Sequence, residues 1–180
     1  MAEKNIMQLK ISLNNQPTTI WRKVLVPSTI RYDQLNIVIQ ILFEWQNSHL
    51  HAFRPDNQTS EIEYVNYVDP DSVIKQLPET EHFPLPDLEQ GSITYTYDFG
   101  DNWQHTIELE KMLSLENLPV AQLPFCLNGR GAVPVEDGGT IDGETSTPFE
   151  KKYFNAVFKL LISDNWENNY ITFLEQNGQV

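Results

Sequence analysis

The most informative stretch of the sequence is residues 95–110, which read YTYDFGDNWQHTIELE. Two runs rich in β-branched and aromatic residues, residues 92–99 and 103–110, flank Gly100 and Asp101. A short Gly-Asp connection between two such runs is typical of a β-hairpin. The hairpin therefore predicts an antiparallel sheet at the centre of the chain.

The length of the hairpin loop determines which side chains share a face. With Gly100 and Asp101 as the two loop residues, Asp98 pairs with Trp103 and lies diagonal to His105 on the same face. That places a carboxylate within reach of an imidazole. A change of one residue in loop length would remove this arrangement, because side chains alternate between the two faces of a strand.

The remaining elements are predicted from the period of the apolar residues. Further strands are predicted at residues 7–13, 19–26, 49–53 and 61–68. Helices are predicted at residues 30–45 and 148–162, with a short one near residues 72–77, while residues 166–174 fit a helix or a strand. We therefore predict one α+β domain over residues 1–180. It has a mainly antiparallel sheet built from hairpins, helices packed on one face, and a helical extension over about residues 148–180.

Charge and composition restrict the partners. Apolar residues make up 40% of the chain, and the net charge is −13. Such a surface repels phosphate backbones, so we expect no nucleic-acid binding. The chain has a single cysteine and no run of about 18 apolar residues. We therefore expect a cytoplasmic protein without a membrane span, whose partner is an unknown protein or small molecule.

Histidines and acidic residues form a candidate metal site. His49 and His51 are two residues apart on a predicted strand, so both imidazoles project from one face. If that strand lies beside the hairpin, His105 and Asp98 complete a set of three nitrogens and one carboxylate, which suits zinc or iron. The alternative is that these histidines only hydrogen-bond loops or the edge of a sheet.

A glycine-containing loop is predicted at residues 126–145, which read CLNGRGAVPVEDGGTIDGET. Backbone N–H groups of such a loop could bind an anion, although tight turns explain its glycines equally well. No Gly-Lys-Ser/Thr follows, so the loop is not a P-loop. Glu136 and Asp137 lie within it and could supply carboxylates to the same site as the histidines.

Three segments together resemble the Ri-plasmid ORF-3-like family, whose members are also labelled insertion-element passenger proteins of the TnpR type. They are residues 20–53, 95–110 and 126–140, and the resemblance covers about residues 5–140. It rests on the motifs IWRKVLVP, HLHAF, YDFGDNWQH and CLNGRGAVPVED. The resemblance implies a compact α+β domain, sometimes carried on mobile elements, and implies no mechanism.

The family pattern falls on specific residues of this sequence. They are Trp21, Arg22, His49, His51, Asp98, Gly100, Asp101, Trp103, His105, Glu108, Cys126, Gly129, Glu136 and Asp137. The chain departs from the pattern at Ala52, where members have Glu, at Val133, where members often have Cys, and at Val135, where members have Pro. Gly138 is a further position that can be Cys. A thiolate-rich metal site in this loop is therefore not expected here.

Three functional hypotheses remain open. The leading one is a small cytosolic binding or interaction domain with a polar cleft. The residues assigned to the cleft are Arg22, Asp98, Asp101, Trp103, His105, Glu108, Glu136 and Asp137, with His49, His51, His105 and Asp98 as candidate ligands of a divalent metal. The second hypothesis is a metal-dependent enzyme, such as a hydrolase, that uses the same cluster. The third, an accessory role in DNA transposition, rests on the family label and is opposed by the charge.

Overall fold

The order of secondary structure along the chain sets which strands can pair. The computed structural model describes residues 5–56, 61–117, 122–137 and 148–161. Its strands are β1 (Asn5–Leu13), β2 (Ile20–Pro27), β3 (His51–Pro55), β4 (Ile62–Val65), β5 (Lys75–Pro78), β6 (Ile93–Tyr97), β7 (Trp103–Ser114) and β8 (Phe125–Arg130). Its helices are α1 (Tyr32–Leu42), α2 (Leu85–Leu88) and α3 (Lys151–Leu161), with short 3-10 turns at Glu79–Glu81 and Leu115–Asn117. Within these residues, strands therefore outnumber helices.

The strands of the described residues form one sheet in the order β5-β4-β3-β6-β7-β1-β2-β8. Neighbouring strands are antiparallel, except that β4 and β5 are parallel. Together with the helices, this mixed sheet makes the fold α+β, as predicted. The placing of all helices on one face stays a prediction.

Strand β1 lies inside the sheet because it pairs with both β2 and β7. Its alternating residues Met7, Leu9, Ile11 and Leu13 are all buried in the main core. Burying four large apolar side chains from one strand contributes on the order of 1.5–3 kcal/mol for each. The predicted hairpin of β1 and β2 is confirmed.

Helix α1 packs its apolar stripe into the same core. Leu35, Val38, Ile39 and Leu42 are buried at the predicted helical spacing. The helix is shorter than predicted and ends at Leu42. Glu44 follows with a φ of 57°, a left-handed conformation that turns the chain away from the helix axis.

The loop of the central hairpin is longer than predicted. Strands β6 and β7 pair Tyr97 with Trp103 and Tyr95 with His105. The predicted pairing of Asp98 with Trp103 is therefore wrong, and Asp98 lies outside the ladder. The physical reason is that Asp98 and Asn102 adopt φ angles of 54° and 57°, which close a five-residue loop instead of a two-residue one.

The predicted glycine loop begins with a strand. Strand β8 pairs with β2 on one side, and in the described part of the chain no strand lies on its other side, toward which the N–H and C=O of Cys126 point. The side chain of Asn155 on α3 fills that gap. Its Oδ1 accepts from Cys126 N at 2.7 Å, and its Nδ2 donates to Cys126 O at 3.0 Å. The helix therefore supplies hydrogen-bond partners to backbone groups of an edge strand, which could otherwise pair with a strand of another chain.

Two further predictions concern helices. The short helix predicted near residues 72–77 is wrong, because Lys75–Pro78 instead forms β5 beside β4. Helix α3 is amphipathic as predicted and buries Phe154, Val157 and Phe158. Tyr153 and Leu160, which the helical spacing predicts to face inward, are instead exposed. Residues 166–174 lie outside the described residues. In the described part of the chain, no helix is long and apolar enough to cross a membrane.

Arg22 on β2 is a fully buried cation that joins three parts of the fold. Its Nε donates to Leu42 O at the end of α1 at 2.9 Å. Its terminal nitrogens donate to Trp21 O at 2.9 Å, Arg130 O at 2.8 Å and Gly131 O at 2.9 Å. Because burial disfavours the charged form, the pKa of Arg22 falls to about 10, and the guanidinium stays protonated at neutral pH.

Arg22→Lys should destabilise the protein by about 3 kcal/mol or more, because one amine cannot reach all four carbonyl groups and each hydrogen bond from a charged group contributes about 1.5–3 kcal/mol. Urea denaturation would measure the change. Arg54→Lys is the matched control, since Arg54 is exposed and should change stability by less than about 1 kcal/mol. Equal effects at the two positions would show that the forked hydrogen bonds of Arg22 are dispensable.

Candidate functional site

His49 lies two residues before the start of β3, and acidic side chains surround its imidazole. Its Nε2 is 3.0 Å from Asp137 Oδ1, 3.6 Å from Asp98 Oδ2 and 3.8 Å from Glu136 Oε1. Suitable ligand atoms of His49, Glu136 and Asp137 all lie within 4.8 Å of one another. We call His49, Asp98, Glu136 and Asp137 the His49 cluster.

Glu136 is held by three donors from other parts of the chain. Its Oε1 accepts from Ser48 Oγ at 2.8 Å and from the hydroxyl of Tyr97, and its Oε2 accepts from the N–H of Gln46. The Tyr97 hydroxyl also accepts from Ser48 N at 2.9 Å. Burial and the neighbouring Glu136 carboxylate raise the pKa of Tyr97, so it remains a donor at neutral pH. Glu136 therefore ties the loop after β8 to the loop before β3.

Asp98 reaches the cluster because of its turn conformation. Its Oδ1 accepts from Gly100 N at 3.0 Å and from Asp101 N at 3.4 Å, which leaves Oδ2 toward His49. The Asp98 N–H donates to Leu50 O at 2.9 Å, which joins the hairpin loop to the segment that carries His49. Asp101 is exposed at the tip of the loop, and its N–H donates to the Asp98 carboxylate.

His51 does not belong to the His49 cluster, because its imidazole bonds a different carboxylate. Its Nε2 lies 2.6 Å from Glu79 Oε2, and both side chains are buried. The strand begins at His51 and not at His49, so the two imidazoles do not share one strand face as predicted. A buried imidazole bonded to a carboxylate crosslinks β3 to the 3-10 turn after β5.

His105 is also separated from the cluster, because it is fully buried on the core face of β7. Its ring meets Phe43 at 4.6 Å and Trp45 at 5.2 Å, both edge-to-face. Its Nδ1 lies 3.4 Å from Tyr95 O, and its Nε2 has no hydrogen-bond partner in the described residues. Burial lowers the pKa of His105 to about 3, so the imidazole is neutral.

The other residues of the predicted cleft lie elsewhere. Trp103 packs 5.8 Å from the Trp45 ring in the aromatic layer behind the cluster. Glu108 is exposed on β7 opposite Lys10, on the face away from the core. Arg22 is fully buried and donates to the last carbonyl group of α1. Of the predicted set, the structure therefore brings Asp98, Glu136 and Asp137 to His49 and leaves the others apart.

Sequence reasoning missed Ser48, Tyr97 and Glu79. Hydroxyl groups carry no spacing pattern that marks them as partners of a carboxylate. Tyr97 nevertheless directly precedes Asp98 in the hairpin. Its position beside a candidate metal ligand could have indicated a role in the site. Glu79 is 28 residues from His51 in the chain, so only the fold reveals their contact.

The arrangement is suited to bind a divalent cation. Donors at about 2.0–2.1 Å from a tetrahedral ion are about 3.4 Å apart, which is close to the separations around His49 Nε2. One imidazole with carboxylate oxygens is a ligand set that zinc, manganese and iron all accept. The His49 side chain is 33% exposed and that of Asp137 is 65% exposed, so an ion here would be open to solvent.

Comparisons with known proteins agree with this fold. The profile of the family described as "Plasmid pRiA4b ORF-3-like protein" matches residues 5–147. The uncharacterized protein y4hQ of Sinorhizobium fredii (strain NBRC 101917 / NGR234) is 30% identical over 143 residues, which is 75% of this chain and 67% of that protein. The crystal structure of the protein of unknown function MM3350 from Methanosarcina mazei Go1 is similar with a TM-score of 0.65 and 26% identity. That alignment covers 96% of this chain and 90% of the other.

Acid should destabilise the protein through His105. The pKa of His105 is about 3 in the folded chain against an ordinary 6.5, so between these values the unfolded state binds more protons and stability falls as pH falls. From pH 6.5 to pH 5 the loss from this group is about 1.6 kcal/mol. His105→Leu should remove that part of the pH dependence, measured by urea denaturation at both pH values. His82→Leu controls for removal of a histidine, and an unchanged slope in His105→Leu would contradict the assignment.

Proposed function

This chain belongs to the plasmid pRiA4b ORF-3-like protein family, and from the geometry of its site we propose that it is a small binding domain that holds a divalent cation in the His49 cluster. The known relatives reported above are uncharacterised, so the proposal rests on the residues of this chain. We also propose that the protein acts in the cytoplasm, where its buried single cysteine stays reduced.

The observation that carries this proposal is the convergence of separate segments on one imidazole. Asp98 comes from the β6–β7 loop, whereas Asp137 follows β8. Their oxygens approach His49 Nε2 to 3.6 Å and 3.0 Å. Three carboxylates around one imidazole concentrate negative charge, and a divalent cation offsets this repulsion.

Glu136 supports the site in a different way from Asp98 and Asp137. Its oxygens already accept from Gln46, Ser48 and Tyr97, so it is fixed before any ion binds. Such hydrogen bonds orient a carboxylate beside a metal and limit the conformations that must be lost on binding. Zinc, manganese and ferrous iron suit the mixed nitrogen and oxygen donors better than calcium, which prefers oxygen donors alone.

A metal-dependent hydrolase is the second candidate, and the exposure of the site favours it. Catalytic metal sites keep a coordination position open to water or substrate, whereas structural sites are closed. The Asp137 side chain is 65% exposed. A bound ion would supply an activated water there, and a carboxylate of the cluster would accept its proton. This candidate requires metal binding, so the same experiment tests its first condition.

A role in DNA transactions is the least supported candidate. The net charge is −13, and the cluster adds carboxylates to that surface. Binding to a duplex requires lysine or arginine side chains that neutralise phosphates. We expect no complex in a mobility-shift assay at low salt with a linear duplex, and a salt-sensitive complex would favour this candidate instead.

Zinc, manganese or ferrous iron should bind the purified chain at about one equivalent and raise its melting temperature. At a free metal concentration of about 100 times Kd, the stabilisation is about 2.7 kcal/mol. Calorimetric titration of chelator-treated protein and elemental analysis would measure the binding. Binding of none of these metals would contradict the proposal and would remove the hydrolase candidate with it.

Two matched pairs of variants locate the ion. His49→Ala should abolish binding, whereas His82→Ala should not, because His82 lies against Tyr64 and bonds Pro78 O away from the cluster. Asp137→Asn should weaken binding by about tenfold or more. Asp101→Asn is its control, as another exposed acidic residue near the site. Equal losses in Asp137→Asn and Asp101→Asn would show that only bulk charge attracts the ion.

A further inference from the structure

A separate cavity with a volume of about 230 Å³ lies on the sheet, and none of its described lining residues belongs to the His49 cluster. Thr96 on β6 pairs with Ala52 on β3 and with Gln104 on β7, so three lining residues form one row across the strands. Their neighbours in the chain, Tyr95 and His105, are fully buried in the core. Because side chains alternate between the two faces of a strand, the cavity opens on the face away from the core.

Side chains of different chemistry enclose this row on its two sides. Phe99 and Asn102, in the loop between β6 and β7, line the cavity on one side. Phe99 is 56% exposed, so its ring offers an apolar surface to a ligand. On the opposite side lie Arg54 and Glu63, which pair with each other. Ala52 ends at its Cβ and leaves the space between the two sides free.

Several polar groups in the cavity have no partner within the fold. The side chains of Thr96, Asn102 and Gln104 make no hydrogen bond with any residue that the structure describes. Hydroxyl and carboxamide groups both donate and accept, so these side chains can bond a ligand whose groups do the same. Neighbouring strands lie about 4.8 Å apart, which places the Thr96 and Gln104 side chains at a separation close to the width of one six-membered ring.

The charged residues of the lining balance each other. Arg54 and Glu63 are the charged residues among the described lining residues, and they form an ion pair. Gln76 also donates to Glu63 at 3.4 Å, so this carboxylate has two partners within the protein. A charged ligand would have to break the pair, whereas a neutral ligand can bond both groups where they stand.

The charges around the lining oppose an anion in particular. Asp56 accepts from the hydroxyl of a lining threonine at 2.7 Å, and Asp98 and Asp101 lie in the loop that forms the aromatic side of the cavity. Lys10 on β1 and Lys75 on β5 lie on the strands that flank those of the cavity and are not among its lining residues. The carboxylates would repel a phosphate or carboxylate group, so the surroundings favour a neutral ligand, as the lining does.

We infer that this cavity binds a neutral sugar, with one pyranose ring seated on the row of Ala52, Thr96 and Gln104. The hydroxyl groups of the sugar bond Thr96, Asn102 and Gln104, and its C–H face packs against Phe99. The cavity is smaller than the roughly 300–1,000 Å³ typical of sites for drug-sized ligands, so it accommodates one ring. A nucleobase would use the same aromatic and amide groups, but the phosphate of a nucleotide would meet the nearby carboxylates.

Titration with neutral sugars tests the inference, and a chelator in the buffer keeps the result independent of the His49 cluster. Of the methyl glycosides of glucose, galactose and mannose, at least one should shift the NMR signals of the Thr96 and Gln104 amides in the full chain, with a Kd on the order of millimolar. Tetrahydropyran-2-methanol has the ring without its ring hydroxyl groups and should bind at least about fivefold more weakly. No response to any of the three glycosides would overturn the site, and equal binding of tetrahydropyran-2-methanol would overturn recognition by hydrogen bonds. Tighter binding of uridine than of every glycoside would assign the cavity to a nucleoside instead.

The responding sugar is then compared with a disaccharide in which it is the terminal residue. Tighter binding of the disaccharide would identify part of a glycan as the ligand, and equal binding would identify a free monosaccharide. Both outcomes support the sugar site.

Two variants with matched controls locate the ligand. Phe99→Ala should weaken binding of the responding glycoside about tenfold, whereas Phe83→Ala, at another exposed phenylalanine, should not. Gln104→Ala should weaken it about fivefold, and Gln90→Ala is its control, because Gln90 is exposed and lies outside the cavity. Phe99 and Gln104 both lie outside the core, so the fold should tolerate their removal. Unchanged affinity in both Phe99→Ala and Gln104→Ala would refute the assignment, whatever the outcome at the His49 cluster.

Discussion

The guanidinium of Arg22 joins the ends of separate segments that must meet for the site to exist. It bonds Leu42 O, just before the segment that carries His49, and Gly131 O, just before the segment that carries Glu136 and Asp137. A buried charge is stable only when its donors are satisfied, so this contact fixes both segments to β2. The two halves of the His49 cluster therefore start from a common anchor.

A second set of contacts holds the far ends of these segments. The Tyr97 hydroxyl accepts from Ser48 N and donates to Glu136, so one tyrosine of β6 touches both segments. Asp98, the next residue, adds its carboxylate from the hairpin loop. The cluster is therefore built on loops whose two ends are both fixed, which holds its side chains in place before a ligand arrives.

Periodicity predicted the parts of the fold that depend on one local pattern. The burial of Leu9 and Val38 follows from strand and helix spacing, and both predictions are confirmed. The strand pairing of the hairpin was predicted with a shift of one residue. The reason is that the residue types do not show that the backbone of Asp98 adopts a left-handed conformation. Strand β8 was missed for another reason. Its pairing depends on β2, about a hundred residues earlier in the chain, and on the side chain of Asn155.

The sequence predicts which residues could form the site, but it does not predict which of them lie together in the fold. The resemblance points to His49, Asp98, Glu136 and Asp137, and the structure groups them without His51 or His105. Both of those histidines are buried against partners that come from distant parts of the chain. Val133, a position at which the family resemblance implies cysteine in many members, is fully buried in the core. The ligand atoms that converge belong to an imidazole and carboxylates, so the arrangement that would bind a cation does not depend on a thiol at position 133.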